Sequence, residues 1–249
     1  MSEHDLQAGV AASPEFFEAL YQGRGASFGQ HAPRMEVVPW QVDGPQPLLA
    51  ELEAAGEITG PVLECGCGLG GNALFLADRG YAVTAFDASS TAIEQDQAKA
   101  RAEGSSVRFM VADATSLEGI PGGFATVVDS AMLHCLSDEQ RRAYLDGLRR
   151  VCQPAAQLHV FCFQARAGDT LPMPAKMDEA SLRQVFGECG WTIQRMQTRR
   201  YTTIMTRQQV HEQMPAELRE HLIPDLDSQN TAEQEGVSLP VWQISAQLV

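Results

Sequence analysis

The chain reads as an α/β protein built on a doubly wound, largely parallel sheet, and three observations lead there. Short apolar runs alternate with helical patterns from residue 61 to residue 163, the order that sets strands side by side in parallel with helices over their faces. The first run leads into a glycine turn, Glu64-Cys65-Gly66-Cys67-Gly68-Leu69-Gly70-Gly71, from which a helix starts. Four acidic residues, Glu64, Asp87, Asp113 and Asp129, fall at the ends of the first four runs, and in such sheets the ligand crevice lies outside the carboxyl ends of the strands. Acidic residues also favour loops, which accounts for any single one of them; four in register form a stronger pattern.

In chain order, each element follows from local pattern. After a polar leader, Pro14 to Tyr21 offers Phe16, Phe17 and Leu20 to one face of a short amphipathic helix. Gly23 to Pro39 reads as a loop, and Pro47 to Ala55 as a helix leading to Gly56. Val62-Leu63 opens the first buried strand, Ala73 to Arg79 is the helix after the glycine turn, and Ala82 to Phe86 is strand two. A capping box, Thr91-x-x-Glu94, predicts a helix to about Glu103, ended by Gly104. Val107 to Val111 and Ala125 to Val128 are strands three and four. Asp138 to Arg150 is a helix with Tyr144, Leu145, Leu148 and Val151 apolar, and Leu158 to Phe163 is strand five. Ala165 to Met177, rich in Gly, Pro and Met, reads as a loop over the site. Asp178 to Cys189 is a helix capped by Gly190, Trp191 to Arg199 a strand, Gln208 to His221 an exposed helix, and Val241 to Leu248 a closing strand.

Composition narrows the function classes. With 249 residues, 44% of them hydrophobic, the chain can bury a substantial core. Its 32 acidic against 18 basic residues leave a formal charge of -14, which argues against nucleic acid and large polyanions as partners, because phosphate binding needs a basic surface. The start of the chain lacks a basic segment followed by an apolar run, and no stretch approaches membrane-spanning length; a cytoplasmic protein without a membrane partner is expected. The six cysteines, Cys65, Cys67, Cys135, Cys152, Cys162 and Cys189, show no disulfide framework and no Cys-x-x-Cys spacing, so neither disulfides nor a metal site is expected.

The glycines admit two registers. Gly66-x-Gly68-x-x-Gly71, with Asp87 about 20 residues on, fits the dinucleotide fingerprint. Glu64-x-Gly66-x-Gly68-x-Gly70 instead resembles the first motif of class I S-adenosylmethionine methyltransferases. Glu64 discriminates between them, since a carboxylate beside the turn repels a pyrophosphate and attracts the ammonium of an amino-acid ligand. Short-chain dehydrogenases would also need a Tyr-x-x-x-Lys pair. Here Tyr21, Tyr81, Tyr144 and Tyr201 are followed at that spacing by Gly25, Ala85, Leu148 and Met205.

From about Pro39 onward the chain resembles class I S-adenosylmethionine-dependent methyltransferases. Pro39-Trp40-x-x-Asp43-Gly44-Pro45-Gln46-Pro47, Val128-Asp129-Ser130-x-x-x-His134 and the final Trp242-Gln-Ile-Ser-Ala-Gln-Leu248 are similar to a small-molecule group related to the heterocyclic toxin methyltransferase and, more distantly, to thiopurine methyltransferases. The resemblance implies a Rossmann-like sheet of seven strands, mostly parallel with the last antiparallel, and helices on both faces. It further implies a helical lid and substrate-side extension over residues 1–56 and a cofactor-binding domain over 57–249. It assigns S-adenosylmethionine as cofactor, with S-adenosylhomocysteine as product. Glu64, Gly66, Cys67, Gly68 and Gly70 would hold the methionine part. Asp87 would take the ribose hydroxyls, Asp113 with Ala114 the adenine edge, and Asp129 with Ser130 would lie against the methionine portion. Trp40 would sit close to the sulfonium, and Asn72 and Ala88 complete the cofactor set. Two departures stand out: Pro154-Ala155-Ala156 replaces a common Pro-Gly-Gly turn, and Cys65 and Cys67 make the glycine loop bulky.

Methyl transfer from a sulfonium needs alignment of nucleophile, carbon and sulfur, and positioning can contribute about 7 to 11 kcal/mol. Proton removal from the acceptor adds about 10²- to 10⁴-fold. His134, after strand four, is the candidate base because an ordinary histidine titrates near neutrality; packing in its loop or simple contact with substrate are the alternatives. Trp40 either offers a cation–π face to the sulfonium or plugs the lid. Tyr21, Phe28, Met35, Met173, Met177, Tyr201 and Met205 border the acceptor space or pack the core and lid. His159 is read as structural. The expected reaction moves a methyl group to oxygen or nitrogen of a small aromatic or heteroaromatic acceptor, in natural-product tailoring or detoxification. Thiol or halide methylation, and a cofactor-binding protein without transfer activity, are the alternatives.

Overall fold

Alternation along the strands divides the side chains between two packing faces, and it accounts for the layering seen in the computed structural model, which describes residues 13–27, 34–164, 178–214 and 236–249. In chain order the elements are α1 (Pro14–Tyr21), β1 (Ala26–Ser27), β2 (Arg34–Met35), α2 (Pro47–Ala54), β3 (Val62–Cys65), α3 (Gly71–Asp78), β4 (Val83–Asp87), α4 (Ser90–Glu103), β5 (Arg108–Val111) and β6 (Phe124–Ser130). A short 3-10 turn, Leu133–Cys135, then precedes α5 (Asp138–Val151), β7 (Cys152–Phe163), α6 (Glu179–Glu188), β8 (Trp191–Thr202), α7 (Arg207–Gln213) and β9 (Ser238–Leu248).

Seven strands form one sheet in the order β5-β4-β3-β6-β7-β9-β8. All neighbouring pairs from β5 to β7 are parallel, and β9 runs antiparallel between β7 and β8. On one face Leu63, Phe86, Val127, Leu158 and Ile244 pack with α5 and α6 through Tyr144, Leu145, Leu148, Leu182 and Phe186. On the other, Val62, Val83, Ala85, Val128 and Phe161 meet Leu48, Leu49 and Leu52 of α2, Leu74 and Leu76 of α3 and Ile93 of α4. The chain changes face between β3 and β6, which makes their carboxyl ends the switch point where a doubly wound sheet opens a crevice.

Several local expectations shift. The stretch from Gly23 to Pro39 contains a short antiparallel ladder, Ala26 opposite Met35. The α4 cap is Ser89, whose hydroxyl accepts from the Ala92 N–H; Thr91 instead gives its hydroxyl hydrogen to Glu18 at 2.5 Å. A partner 73 residues away took the side chain that the local box would have used. Strand β7 begins at Cys152, six residues earlier than the apolar run suggests, and Ala155 sits at φ 60 in the turn where the resembling family often has glycine. The loop expected over Ala165 to Met177 lies outside the described residues. The helix expected from Gln208 to His221 is described as α7, Arg207–Gln213, which ends at an extended Met214, with Val210 fully buried; residues 215–221 lie outside the described residues. All six cysteines are free. Among the described residues no helix is long and apolar enough to cross a membrane.

Candidate active site at the switch point

Strand β3 delivers Glu64 to the crevice on the face that carries α2 and α3. Its neighbours Leu63 and Cys65 point into the opposite core. Only 1% of Glu64 is exposed. Its Oε1 accepts from Asn72 Nδ2 at 2.9 Å, while Oε2 has no hydrogen-bond partner among the described residues. Burial pushes this carboxyl up to about 8, against the hydrogen bonds from Asn72 and the backbone near Ala73. Asn72 is held in turn, since its Oδ1 accepts from the Gln46 N–H at 2.8 Å.

The loop itself needs glycine for reasons the structure makes specific. Gly68 has φ 55, and a Cβ there would stand 2.8 Å from the Tyr21 hydroxyl oxygen. At Gly71 a Cβ would meet the Gly44 carbonyl oxygen at 2.7 Å. The Gly68 N–H donates to Asp87 Oδ2 at 2.9 Å, and Asp87 Oδ1 accepts from the Ser89 N–H at 2.9 Å. One carboxylate thus ties the glycine turn to the start of α4, and burial raises its pKa. Ala88, next in the chain, is exposed at the rim. Cys67 lies buried beneath the loop with its thiol 3.7 Å from Asp96 Oδ2. Burial drives the Cys67 thiol up and Asp96 up to about 8.

Period-two alternation separates the two residues expected from β6. Val128 stands opposite Glu64 and Asp129 opposite Cys65. Ser130 therefore shares the crevice face with Glu64, its hydroxyl 3.0 Å from that of Tyr201. The Asp129 side chain turns toward the opposite layer. Its Oδ1 accepts from the Met132 and Leu133 N–H groups at 2.9 and 3.1 Å, and Oδ2 from the Tyr144 hydroxyl at 3.0 Å. All that capacity organises the turn after β6, and despite these bonds burial lifts the carboxyl to about 6.

A cleft joins these groups. It is lined by Trp40, Gln46, Glu64, Gly66, Cys67, Asn72, Ser130 and Tyr201, among others. Trp40 donates its indole N–H to the Tyr21 hydroxyl at 3.1 Å and meets Phe17 edge-on at 5.5 Å. Asp113 sits apart on the exposed edge beyond β5, where its Oδ1 accepts from the N–H and hydroxyl of Thr115; Ala114 is half-buried beside it. Gln46 and Tyr201 line the cleft without belonging to the expected cofactor set, as do Gln41, Val42, Gly44 and Gly71. Gln46, 3% exposed, bridges the Trp40 and Thr202 carbonyls with its side-chain N–H₂ and leaves Oε1 without a partner among the described residues. Its signal was the Gly44-Pro45-Gln46-Pro47 run itself.

His134 lies in the 3-10 turn, 7% exposed, its ring 4.3 Å from that of Phe163. Burial, aided by the charge of Arg141, pushes its pKa down to about 3. His159 is structural in its contacts, with Nδ1 3.1 Å from Ser245 Oγ and Nε2 3.2 Å from the Glu57 carbonyl. Met35 and Met205 are buried in one apolar cluster with Phe16, Leu20 and Val210; Phe28, Met173 and Met177 lie outside the described residues. The described residues hold no cluster of metal-ligating side chains.

This donor set fits an amino-acid cofactor with a cationic head. Among the described residues, the Glu64 carboxyl keeps one buried oxygen without a partner in a cleft that Gly66, Asn72 and Trp40 also line. A family model described as a methyltransferase domain matches residues 62–155. The chain is 33% identical over 181 residues to a 2-heptyl-1-hydroxyquinolin-4(1H)-one methyltransferase of Mycobacteroides abscessus, covering 72% of this chain and 77% of that protein. A solved structure from work on the conversion of a disulfide bond into a thioacetal group during echinomycin biosynthesis superposes with a TM-score of 0.72 at 31% identity, over 95% of this chain and 93% of that one. The fold also matches a Burkholderia thailandensis 1,6-didemethyltoxoflavin-N1-methyltransferase solved with S-adenosylhomocysteine, with a TM-score of 0.56 at 19% identity over 82% of this chain and 77% of that one.

Proposed function

Since the chain belongs to the S-adenosylmethionine-dependent small-molecule methyltransferases, we propose that its acceptor is an aromatic or heteroaromatic molecule methylated at oxygen or nitrogen, in a tailoring or detoxifying step. The observation that carries this reading is the aromatic character of the region around the cleft, which Trp40 and Tyr201 line. Phe17 packs edge-on against Trp40, His134 lies against Phe163, and Phe17, Trp40 and Phe163 all pack on the apolar cluster under α1. Flat apolar surfaces with few polar groups suit a flat, weakly polar ligand. A hydroxyquinolinone is the acceptor named for the Mycobacteroides relative, and it has that shape.

When bound, S-adenosylmethionine supplies a methyl group on a positively charged sulfur, displaced in line by the acceptor atom. The chain's residues then have distinct tasks in this reading. Glu64 and Asn72 hold the amino-acid end, and Asp87 holds the sugar while fixing Gly68. Trp40 stands over the loop with its indole N–H committed to Tyr21, which leaves its ring face for the cation, worth about 0.5 to 2 kcal/mol. Residues 1–56 act as the lid and acceptor-side extension, and residues 57–249 as the cofactor domain. Asp129 works through the turn it organises, setting where His134 stands.

Calorimetry with S-adenosylhomocysteine, followed by turnover of hydroxylated and amino heterocycles beside a panel of thiols and halides, tests the reading. Hydroxylated or amino heterocycles should be preferred, and Gly68→Val should abolish cofactor binding because its Cβ enters the space of Tyr21. Consistent preference for thiols would favour sulfur methylation instead, the second reading, which draws support from the sulfur chemistry named for the echinomycin structure. Unchanged affinity in Gly68→Val would overturn the loop assignment.

A further inference from the structure

Two buried polar atoms without a hydrogen-bond partner among the described residues belong to side chains that line one cleft. They are Glu64 Oε2 and Gln46 Oε1, on residues 1% and 3% exposed. Both are acceptors, and a buried acceptor left unpaired carries a free-energy cost that a ligand's donors relieve. The Gln46 amide has one orientation. Its Nε2 donates to the Trp40 carbonyl at 3.4 Å and the Thr202 carbonyl at 3.1 Å; exchanging nitrogen and oxygen would set an acceptor against two acceptors. Oε1 is therefore the atom left over. The two side chains are tied together through Asn72, whose Oδ1 accepts from the Gln46 N–H at 2.8 Å while its Nδ2 donates to Glu64 Oε1 at 2.9 Å. Among the described residues no Lys, Arg or His lines the cleft, so positive charge has to come with the ligand. The cleft's volume, about 30 Å³, gives room for a group the size of a water or an ammonium, which needs about 10 to 15 Å³.

We propose that Gln46 is a second ligand of the cofactor's ammonium group, its Oε1 accepting one N–H while Glu64 Oε2 accepts another, and that this pair selects a ligand with a free amino group. The proposal rests on the placement of the amino-acid end at Glu64 and adds a residue from outside the glycine loop. An ammonium carries three donors, so a single carboxylate oxygen leaves it short of partners once it is buried. The amide oxygen meets a second donor without adding charge. A second carboxylate in its place would repel Glu64 and favour protonation of one of the two. Gln46 immediately precedes α2, and its side chain bridges the Trp40 carbonyl to that of Thr202 at the end of β8. The amino end of the cofactor is thereby held from the segment before α2 as well as from β3.

The test compares, by calorimetry on the intact protein, S-adenosylhomocysteine with its analogue in which hydrogen replaces the α-ammonium. The parent is expected to prefer S-adenosylhomocysteine by more than about 100-fold, since each of the two charge-assisted hydrogen bonds contributes roughly 10- to 100-fold. Gln46→Met, close in length and without an acceptor oxygen, should weaken S-adenosylhomocysteine about 10- to 100-fold and the analogue less than about threefold. Equal weakening of both ligands, or of neither, would show that Gln46 only holds the Trp40 and Thr202 carbonyls, and would overturn the proposal. If Gln46→Met does not fold, Glu64→Gln decides. There the amide oxygen stays with Asn72 and the Oε2 position becomes a donor, so the remaining preference for the amino group, expected at about tenfold, falls to Gln46. Loss of all preference in Glu64→Gln would overturn the proposal and leave Glu64 as the partner of the ammonium. A parent that binds the two ligands equally would overturn both the proposal and the placement of the ammonium at Glu64.

Discussion

Glu64→Gln probes the most unusual group in the cleft. The protein buries this carboxyl with one oxygen unpaired among the described residues, and the pKa rises from 4.5 to about 8. A raised acid pKa means the folded state holds the proton more tightly than the unfolded chain. Glu64 therefore costs no stability below about pH 4.5, and its cost grows as pH rises through that window, levelling off above about 8. At about 1.4 kcal/mol per pH unit the cost is about 3 kcal/mol at pH 7. A glutamine keeps the shape and can still accept from Asn72, so the variant should unfold at higher denaturant near neutral pH and match the parent near pH 4. Cofactor binding should respond in the opposite sense. An ammonium facing Oε2 favours the ionised form, so the parent should release up to one proton on binding and gain up to tenfold in affinity per pH unit between about 6 and 8. The variant loses a charged hydrogen bond worth about 1.5 to 3 kcal/mol, roughly 10- to 100-fold in Kd, together with the pH dependence. Calorimetry in buffers of different ionisation enthalpy measures both. A parent Kd flat across that range, with no proton release, would refute the placement of the ammonium at Glu64.

Three further substitutions test the supporting structure. Tyr144→Phe removes the donor to the fully buried Asp129 and should cost about 1 to 3 kcal/mol in denaturant unfolding, with cofactor affinity nearly kept; a large loss of affinity at normal stability would place Asp129 in direct cofactor contact. Ala155→Gly relieves a left-handed residue at φ 60, and the relief exceeds glycine's extra unfolded freedom by about 0.5 to 1 kcal/mol, raising Tm by about 1 to 4 °C; an unchanged Tm would mean the turn is unstrained. Glu18→Ala removes the carboxylate that accepts from Ser89 Oγ, Thr91 Oγ1 and the Thr91 N–H, the contacts that fasten α1 to α4. Trypsin should then cut after Arg24 several-fold faster with little change in Tm, and equal cleavage rates would show that the apolar contacts of Phe16 and Leu20 suffice.

Much of the frame was legible because it is written in neighbours. The order of strands and helices from β3 to β7, the glycine loop and the helix from Asp138 depend on residues within a turn or two of each other. Reading errors arose where a distant partner intervened. Thr91 forms a good local box with Glu94, yet Glu18 claims its hydroxyl and Ser89 caps the helix. Asp129 and Ser130 are adjacent in the chain, and only the face on which β6 sets each of them separates a turn-organising carboxylate from a cleft hydroxyl. Alternation was available as a signal, since Val128 and Glu64 belong to one face, but the pairing of β3 with β6 was needed to use it.

The chain's pattern of apolar runs, turns and charges was sufficient for the layered α/β fold and the position of the crevice, while the cofactor followed from the resemblance of its motifs to a known family. Those are consequences of local backbone preference and of which side chains avoid water. The tertiary structure was required for the state of each ionisable group. Among the described residues it left Glu64 with an unpaired oxygen, tied both oxygens of Asp129 and buried His134 within reach of the charge of Arg141. Ionisation reports the whole surroundings of an atom, and those surroundings exist only once α1, α5, β6 and β7 have come together.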